Sequence, residues 1–373
     1  MHRLTEDNIT EILVRLPTRS VCHARAVCKV WCRITTTPRF LTAHARRQPV
    51  KFVLYSNLER GDGIDIALDA LPISSFDDEE EASRQRLFRY PKGACRLLAS
   101  CDGVLLLKKG SESNYLLCNL AMMQWAELPC LAFRAREYAF YFHQPSGEYR
   151  LLCHCTHKWY ILSTGTTEPR RLNIAIIEIA RLLLTKQIVP GISDLLVTTP
   201  ASLHGHLHWL PRLGRVTDGM TSIVVFDTLL ETFRGMAGPP TTTIQIKLLN
   251  VDEQLVAADF VKPEQMDLWF LEDYNAGRWE LRHRIAIPQL YDPEHFASGV
   301  SAGYIEGNII LGSYNHSVIV YNMRRKTLKK ICCKAMEASG VLVSRHVLRE
   351  SLAQHPSFSA RSSADLRLIH FWY

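Results

Sequence analysis

The sequence contains no continuous apolar run that could cross a membrane, which takes about 20 residues in a helix. Its longest apolar region, Leu172–Val189, is interrupted by Asn173, Glu178, Arg181 and Lys186. The N-terminus, MHRLTEDN, places acidic residues where a signal peptide needs an apolar core. These absences predict an intracellular protein without membrane contact. The apolar density of Leu172–Val189 predicts instead an amphipathic helix or an extra strand.

A disulfide framework and catalytic motifs are also missing. The eleven cysteines are odd in number and scattered, which is typical of a reducing compartment. Cys332 and Cys333 are adjacent in a predicted strand, so their side chains point to opposite faces and do not pair. The sequence has no nucleophile elbow, no glycine-rich phosphate loop and no HExxH motif. We therefore expect a protein that is not an enzyme and holds no cofactor.

Two short clusters contain residue types that bind metals. They are His204, His206 and His208, and Cys153, His154, Cys155 and His157. Three alternating histidines on a strand share one face, and imidazole is a good zinc or copper ligand. However, the histidines fit a strand pattern, LHGHLHW, without a metal, and a Cys-x-Cys pair lacks the spacing of a structural zinc site. We expect buried thiols and no metal site.

Acidic residues are scarce at the start of the chain. Residues 1–51 contain ten Lys and Arg against three acids, a net charge of +7 that equals the net charge of the whole chain. The remainder is therefore neutral, and a basic segment on a neutral body indicates an acidic partner for that segment alone. Nucleic acid is one such partner, but the N-terminal helices show no recognition-helix signature. We favour a protein partner.

Apolar residues recur at helical spacing in this basic segment. The two sets are Ile9, Ile12, Leu13 and Leu16, and then Val21, Ala24, Val27 and Trp31. Pro17 separates them because proline disfavours a helical residue before it, and Pro38 indicates a third helix start. Three short helices in about forty residues cannot bury a good core alone. The pattern predicts a small helical module that caps a larger domain.

The rest of the chain carries a weak internal repeat. An apolar strand ends in Asp or Asn, and a large apolar residue follows six positions later. The four pairs are Asn119 and Trp125, Asp227 and Phe233, Asp273 and Trp279, and Asn322 and Leu328. An Asx side chain at a strand end bonds its own downstream backbone and starts a turn. The repeat therefore predicts four hairpins, each with a bulky residue that opens the return strand and packs inward.

A second hairpin precedes each of these units. Its turn centres are predicted at Gly103, Gly147, Gly205, Glu253 and Gly307, at steps of 44 to 58 residues. Two hairpins per step make a four-stranded sheet, which is the blade of a β-propeller. Counting the strand after Lys51, closed by the C-terminal HFWY, we predict a mainly β body of about six blades. A β-sandwich with similar strand spacing is the alternative.

The N-terminal residues also resemble a known family. The run LTEDNITEILVRLP, then RSVCHARAVCKVW, then PRF is similar to the F-box, above all its plant form, although Thr5 replaces the usual proline and Cys32 a common arginine. The resemblance implies docking to an SKP-type adaptor and, through it, to a cullin. The implied contact residues are Leu4, Ile9, Leu13, Leu16, Pro17, Val21, Val27, Cys28 and Trp31. We assign residues 1–45 to this module and residues 46–373 to the body.

The body carries a resemblance of its own. LLASCDGVLLL, PSGEYRLL, LHGHLHW and VFDTLLETFRGM resemble the F-box-associated, kelch-like domains of plants. Together the two resemblances imply a substrate-recognition subunit of an SKP–cullin–F-box ubiquitin ligase, which would bind a target protein through its β body. The alternative is a propeller that binds a ligand or partner outside any ligase. The sequence does not identify the target.

Overall fold

A computed structural model describes most of the chain. It covers residues 5–60, 63–72, 85–91, 95–110, 113–156, 158–172, 200–210, 222–241, 246–262, 264–288, 301–312, 318–331, 341–358 and 370–371. The prediction for the interval that follows Leu172, and those for Leu4, His157, Cys332 and Cys333, lie outside the described residues.

The N-terminal module contains four helices where the sequence predicts three. They are α1 (Glu6–Leu13), α2 (Thr18–Arg25), α3 (Lys29–Thr36) and α4 (Pro38–Arg47). The second apolar set is split between α2 and α3, because Cys28 is extended and α3 folds back on α2. Arg25 holds this arrangement by donating to the backbone oxygen of Thr35 at 2.9 Å. The predicted boundary after residue 45 falls within the last turn of α4.

Threonines cap two of these helices. Thr5, which departs from the usual proline, accepts a hydrogen bond from the backbone N–H of Asn8, and Glu6 and Asp7 follow in the first turn. A hydroxyl cap and acids at a helix start both satisfy the exposed N–H groups there. Thr37 caps α4 in the same way, with Pro38 in the first helical position. The departure at Thr5 therefore keeps the helix start intact.

The remaining described residues form twenty-five strands in six sheets. Sheet 1 contains β1 (Val50–Arg60), β2 (Gly63–Pro72), β3 (Gln85–Pro91), β24 (Val341–Arg349) and β25 (His370–Phe371). Sheet 2 contains β4 (Cys95–Cys101), β5 (Val104–Lys109), β6 (Asn114–Asn119) and β7 (Gln124–Glu127), and sheet 3 contains β8 (Arg136–His143), β9 (Glu148–Cys155), β10 (Lys158–Ser163) and β11 (Arg170–Leu172). Sheet 4 contains β12 (Ala201–Leu203), β13 (His206–Trp209), β14 (Ser222–Asp227) and β15 (Thr232–Ala237). Sheet 5 contains β16 (Ile246–Val251), β17 (Gln254–Lys262), β18 (Gln265–Asp273) and β19 (Arg278–Ala286), and sheet 6 contains β20 (Ser301–Ile305), β21 (Asn308–Gly312), β22 (Val318–Asn322) and β23 (Thr327–Ile331).

The six sheets are the blades of a β-propeller, so the propeller prediction is confirmed and the sandwich alternative is wrong. Sheets 2 to 6 each have four consecutive antiparallel strands. The ring is closed by β24, which pairs with β1 and also lies beside β4 and β20. The described part of the C-terminal HFWY does not close it: His370 and Phe371 form β25, which lies at the outer edge of sheet 1 against β3. The nine-residue β24 can form far more backbone hydrogen bonds than the two-residue β25, which explains why β24 closes the ring.

The repeat that predicts the outer hairpins is confirmed. Each Asx side chain accepts backbone N–H groups two or three residues downstream, at 2.8–3.3 Å. A left-handed residue follows four positions after each Asx: Met123, Glu231, Gly277 and Lys326. The residues six positions on pack inward, with Trp125, Phe233 and Trp279 buried and Leu328 half-buried. The inner turns are confirmed too, since the pairs at Asp102–Gly103 and Glu306–Gly307 have positive φ at both positions, as a tight hairpin requires.

One face of the propeller carries the helical module. β1 begins at Val50, two residues after α4 and its C-cap, and lies opposite Arg349 at the end of β24. Within each blade we count the strands from the centre of the ring outward, so that β24 is the first strand of sheet 1. Because neighbouring strands run in opposite directions, the turn from the first to the second strand and the turn from the third to the fourth strand lie on this same side. We call it the module face. The described connection from β7 to β8, residues 128–135, lies on the opposite face.

Candidate docking surface on the helical module

Two of the predicted contact residues lie in the module's own core. Leu13 and Val21 are 1% and 0% exposed, and they pack against Ile34 and Phe40. Side chains that are already enclosed cannot touch a partner. Their part in any docking surface is therefore indirect: they hold α1 and α2 in place.

The other predicted residues reach the surface to different degrees. Val27 is 64% exposed, and Pro17 and Cys28 are exposed as well. Ile9, Leu16 and Trp31 are partly buried against the module core. Leu4 lies outside the described residues. Val27 lies at the turn between α2 and α3 and is the most accessible large hydrophobic side chain among the described members of the predicted set.

Two exposed apolar residues are missing from the predicted set. Ile12 on α1 is 51% exposed and Val30 on α3 is 39% exposed. The signal for Ile12 was in the sequence, because four apolar residues in eight make a stripe wider than one buried face needs. Val30 had no such signal, since the break between α2 and α3 changes which residues face outward. Ile12, Val27 and Val30 form what we call the exposed apolar set.

The charge of the module is also accessible. Glu11 pairs with Arg15 at 3.3 Å, and Glu6 pairs with Arg33. Among the described residues, no ion pair involves the other exposed cations of the module: Arg19, Lys29, Arg39, Arg46 and Arg47. Exposed cations that form no ion pair contribute their whole charge to the positive electrostatic potential of the module. The module therefore presents apolar side chains on a basic background.

The side of the module that contacts the propeller is separate from these groups. Cys22 and Arg25 on α2 lie 3.8 and 3.7 Å from the sulfur of Met122, in the turn between β6 and β7. Leu352, from the segment after β24, lies in the same apolar cluster as Phe40. The propeller thus covers part of α2 and leaves the exposed apolar set free.

The structure separates the three histidines of the cluster. His204 lies in the turn before β13 with a positive φ, so the three histidines do not share one strand face as predicted. His206 donates Nδ1–H to the oxygen of His204 at 2.9 Å, and its Nε2 lies 3.4 Å from an Asp227 oxygen. Among the described residues no group of three His, Cys, Asp or Glu could hold a metal ion.

His208 is fully enclosed and stays neutral. Its Nδ1–H donates to the oxygen of Ala201 at 3.1 Å, and Nε2 accepts from the hydroxyl of Tyr274 at 2.8 Å. Burial, together with the nearby His206 and Arg234, lowers the pKa of His208 from its ordinary 6.5 to about 4, although the hydrogen bond to Ala201 acts in the opposite direction. These bonds tie sheet 4 to sheet 5 through a neutral imidazole.

This neutral histidine makes stability pH-dependent. The unfolded chain binds a proton at His208 below pH 6.5 and the folded chain does not, so the free energy of unfolding falls as the pH drops from 6.5 towards 4. The full effect is about 3 kcal/mol. We expect the free energy of unfolding of His208→Gln, measured in urea, to depend less on pH over this range than that of the parent chain. The exposed His204→Gln is the matched control and keeps the pH dependence of the parent. Equal pH slopes in the two variants would contradict this role.

The thiols of the second cluster belong to the core. Cys153 and Cys155 on β9 are buried, and burial raises the pKa of Cys153 well above its ordinary value. A protonated, enclosed thiol is neither a nucleophile nor a metal ligand. The ring of His154 lies 5.2 Å from that of Trp159. The prediction of buried thiols is confirmed.

The fold and the exposed groups define a class of protein. A four-helix module sits on one face of a six-bladed propeller and presents apolar and basic groups to solvent. Residues 67–355 match the F-box associated beta propeller domain, and residues 1–42 match the F-box domain. The chain therefore belongs to the family of F-box proteins with an F-box associated β-propeller.

One relative gives a further comparison. An F-box protein of Arabidopsis thaliana is 28% identical over 156 residues, which is 39% of this chain. The match spans 38% of the relative's length, so the similarity covers well under half of each protein. Neither domain match indicates an enzyme family. Among the described residues, none of the helices is both long and apolar enough to span a membrane.

Proposed function

We propose that this protein is the substrate-recognition subunit of an SKP–cullin–F-box ubiquitin ligase. The observation that carries the proposal is the exposed apolar set on an F-box module, where Ile12, Val27 and Val30 are open to a partner. Large exposed apolar patches mark protein-interaction sites, and three exposed apolar side chains on one small module support such a site there. The partner is an SKP-type adaptor, and through it a cullin.

The contact surface we propose combines predicted and newly found residues. Pro17, Val27 and Cys28 contact the adaptor directly, together with Ile12 and Val30. The partly buried members of the predicted set, which are Ile9, Leu16 and Trp31, supply the edges of the surface. Leu4 completes the set from outside the described residues. Leu13 and Val21 act from beneath by fixing the helices.

The propeller binds the target protein in this proposal, and the chemistry belongs to partner enzymes. Holding donor and acceptor together raises their effective concentration, so the chain needs no catalytic group of its own. The protein acts inside the cell, where ubiquitin ligases work. We also propose that the protein comes from a plant and that its propeller is kelch-like, as the resemblance of its sequence implies. The similarity to the Arabidopsis protein supports a plant origin.

Co-purification of the full chain with an SKP-type adaptor tests the proposal. We expect a stable complex whose affinity falls between about 50 and 500 mM salt, because the exposed cations of the module steer an acidic partner and salt screens that attraction. Binding is measured by calorimetry at both salt concentrations. An adaptor that does not bind at either concentration contradicts the assignment, and a salt-independent affinity contradicts the electrostatic part.

A further inference from the structure

A segment near the C-terminus crosses the module face of the propeller. Residues 350–358, which we call the strap, follow β24 and pass from sheet 1 across sheet 2 to sheet 3. At its start, Glu350 pairs with Lys51 at 2.6 Å, close to the junction between α4 and β1. The strap therefore begins where the module joins the propeller.

The strap supplies a residue to the core of the module. Leu352 is 1% exposed and packs in one apolar cluster with Leu13, Val21 and Phe40. Met122, from the turn between β6 and β7, packs against the same cluster. A module of this size buries too little apolar surface to be stable alone. Leu352 and Met122 extend its core into the propeller.

Asn119 holds the strap by a bond pattern that only an amide allows. Its Oδ1 accepts from the backbone N–H of Met122 at 3.3 Å, as the Asx repeat requires. Its Nδ2 donates to the backbone oxygens of Ser351 at 3.1 Å and Ala353 at 3.3 Å, on either side of Leu352. The side chain is fully buried. One amide thus fixes both the turn beneath the module and the strap that enters it.

At the equivalent turns of other blades the Asx side chain bonds within its own sheet, as when Asn322 of sheet 6 donates to Oδ1 of Asn308 at 2.9 Å. Asp227 and Asp273 stand at the same repeat position, and each accepts two backbone N–H groups without donating. A carboxylate would serve the turn at Asn119 equally well. It could not donate to two carbonyl oxygens, so the donor capacity of the amide is what the strap requires.

The far end of the strap is anchored as well. His355 forms a hydrogen bond with the hydroxyl of Tyr149 at 3.2 Å, and Phe358 is buried in the cluster between sheets 2 and 3. Near its start, a Cβ on Gly103 would lie 2.6 Å from the oxygen of Arg349 and 2.7 Å from the Ser351 side chain. The glycine therefore lets the strap pass against the first turn of sheet 2.

We propose that the strap and the Asn119 turn form a clamp that fixes the orientation of the module on the propeller. Asn119 and Leu352 are positioning residues: they touch neither adaptor nor target, but they set the distance and angle between the two binding surfaces. The consequence for ubiquitin transfer rests on the proposed function. The clamp itself does not, because it is defined by contacts within this chain.

Hydrogen exchange of the full-length chain tests the clamp. In Asn119→Asp the turn keeps its acceptor but the strap loses two buried hydrogen bonds. We expect backbone amides of α1 and α2 to exchange at least about tenfold faster, whereas amides of β17 in sheet 5 keep their rates. Leu352→Ala is a second variant with the same expected pattern. Asn322→Asp, the same change at the equivalent turn of sheet 6, leaves the module unchanged.

An orientation measurement separates positioning from simple support. Spin labels on unnatural amino acids at Arg46 of α4 and Leu229 of sheet 4, both exposed, report the distance between module and propeller. We expect one narrow distance distribution in the parent chain and in Asn322→Asp, and a broader one in both clamp variants. Unchanged exchange together with equally narrow distributions in Asn119→Asp and Leu352→Ala would overturn the clamp.

Adaptor binding distinguishes this inference from the proposed function. The clamp variants leave Ile12 and Val27 untouched, so we expect their adaptor affinity to stay within about twofold of the parent. If the parent chain binds no adaptor, the proposed function fails, while exchange and distance still decide the clamp. If both variants bind normally and show the exchange and distance changes, the clamp acts on orientation alone.

Discussion

Replacing both Ile12 and Val27 with aspartate is expected to abolish binding of the SKP-type adaptor. Both side chains are more than half exposed in the module, so the free protein tolerates the change. In a complex, each buried carboxylate would lose its hydration and displace an apolar contact that is worth about 2 kcal/mol or more. We expect the affinity to fall at least about 100-fold. Calorimetric titration of the purified chains measures it.

The propeller offers a matched control for this experiment. Leu229 and Leu230, in the turn between β14 and β15, are 60% and 73% exposed. Leu229→Asp with Leu230→Asp makes the same chemical change on the same protein but away from the module. We expect this variant to bind the adaptor normally. Retained binding by the Ile12 and Val27 variant would refute this docking surface. Absence of binding by the parent chain would refute the adaptor assignment and favour a propeller that acts outside a ligase.

Replacing Glu137 with leucine is expected to cost the propeller about 3–5 kcal/mol of unfolding free energy. Glu137 on β8 lies 2.7 Å from Nζ of Lys108 on β5 and accepts a hydrogen bond from the hydroxyl of Tyr115 at 2.7 Å. Lys108 and Glu137 are almost completely buried, between sheets 2 and 3. Removal of Glu137 leaves an enclosed ammonium group without its counter-charge, and urea unfolding measures the loss.

A double substitution separates the cost of an unpaired charge from the value of the pair. In Lys108→Met with Glu137→Leu both charges are gone, and we expect most of the lost stability to return. Tyr115→Phe added to this pair removes the buried hydroxyl that has lost its carboxylate acceptor and is expected to restore about 1 kcal/mol more. If the double variant is as unstable as Glu137→Leu alone, the loss comes from packing and the charge argument is wrong.

The hairpins of the propeller could be predicted because their cause is local. Asp227 accepts the backbone N–H groups of Leu229 and Leu230, and all three residues lie within four positions of the chain. An Asx residue followed six positions later by a large apolar residue therefore determines a turn and a return strand before any long-range contact forms. The same argument predicted a blade count of about six from the spacing of the turns.

The docking surface could be predicted only in part, because exposure depends on packing between helices. Leu13 and Ile12 are adjacent in the sequence and equally apolar, but one is buried and the other is 51% exposed. For Val30 the orientation of α3 decides the exposure, and the hydrogen bond from Arg25 to the backbone oxygen of Thr35 joins α3 to α2. That hydrogen bond cannot be predicted from the periodicity of apolar residues in the sequence.

By itself, the sequence determined the family, the basic character of the module and the repeated hairpins, since each is carried by neighbouring residues. Tertiary structure decided which strand closes the ring, which apolar residues of the module face outward, and what holds the module in place. Leu352 lies more than three hundred positions from the helices whose core it completes. A contact over that distance leaves no spacing for a pattern to reveal, because the propeller must first close to bring the two ends together.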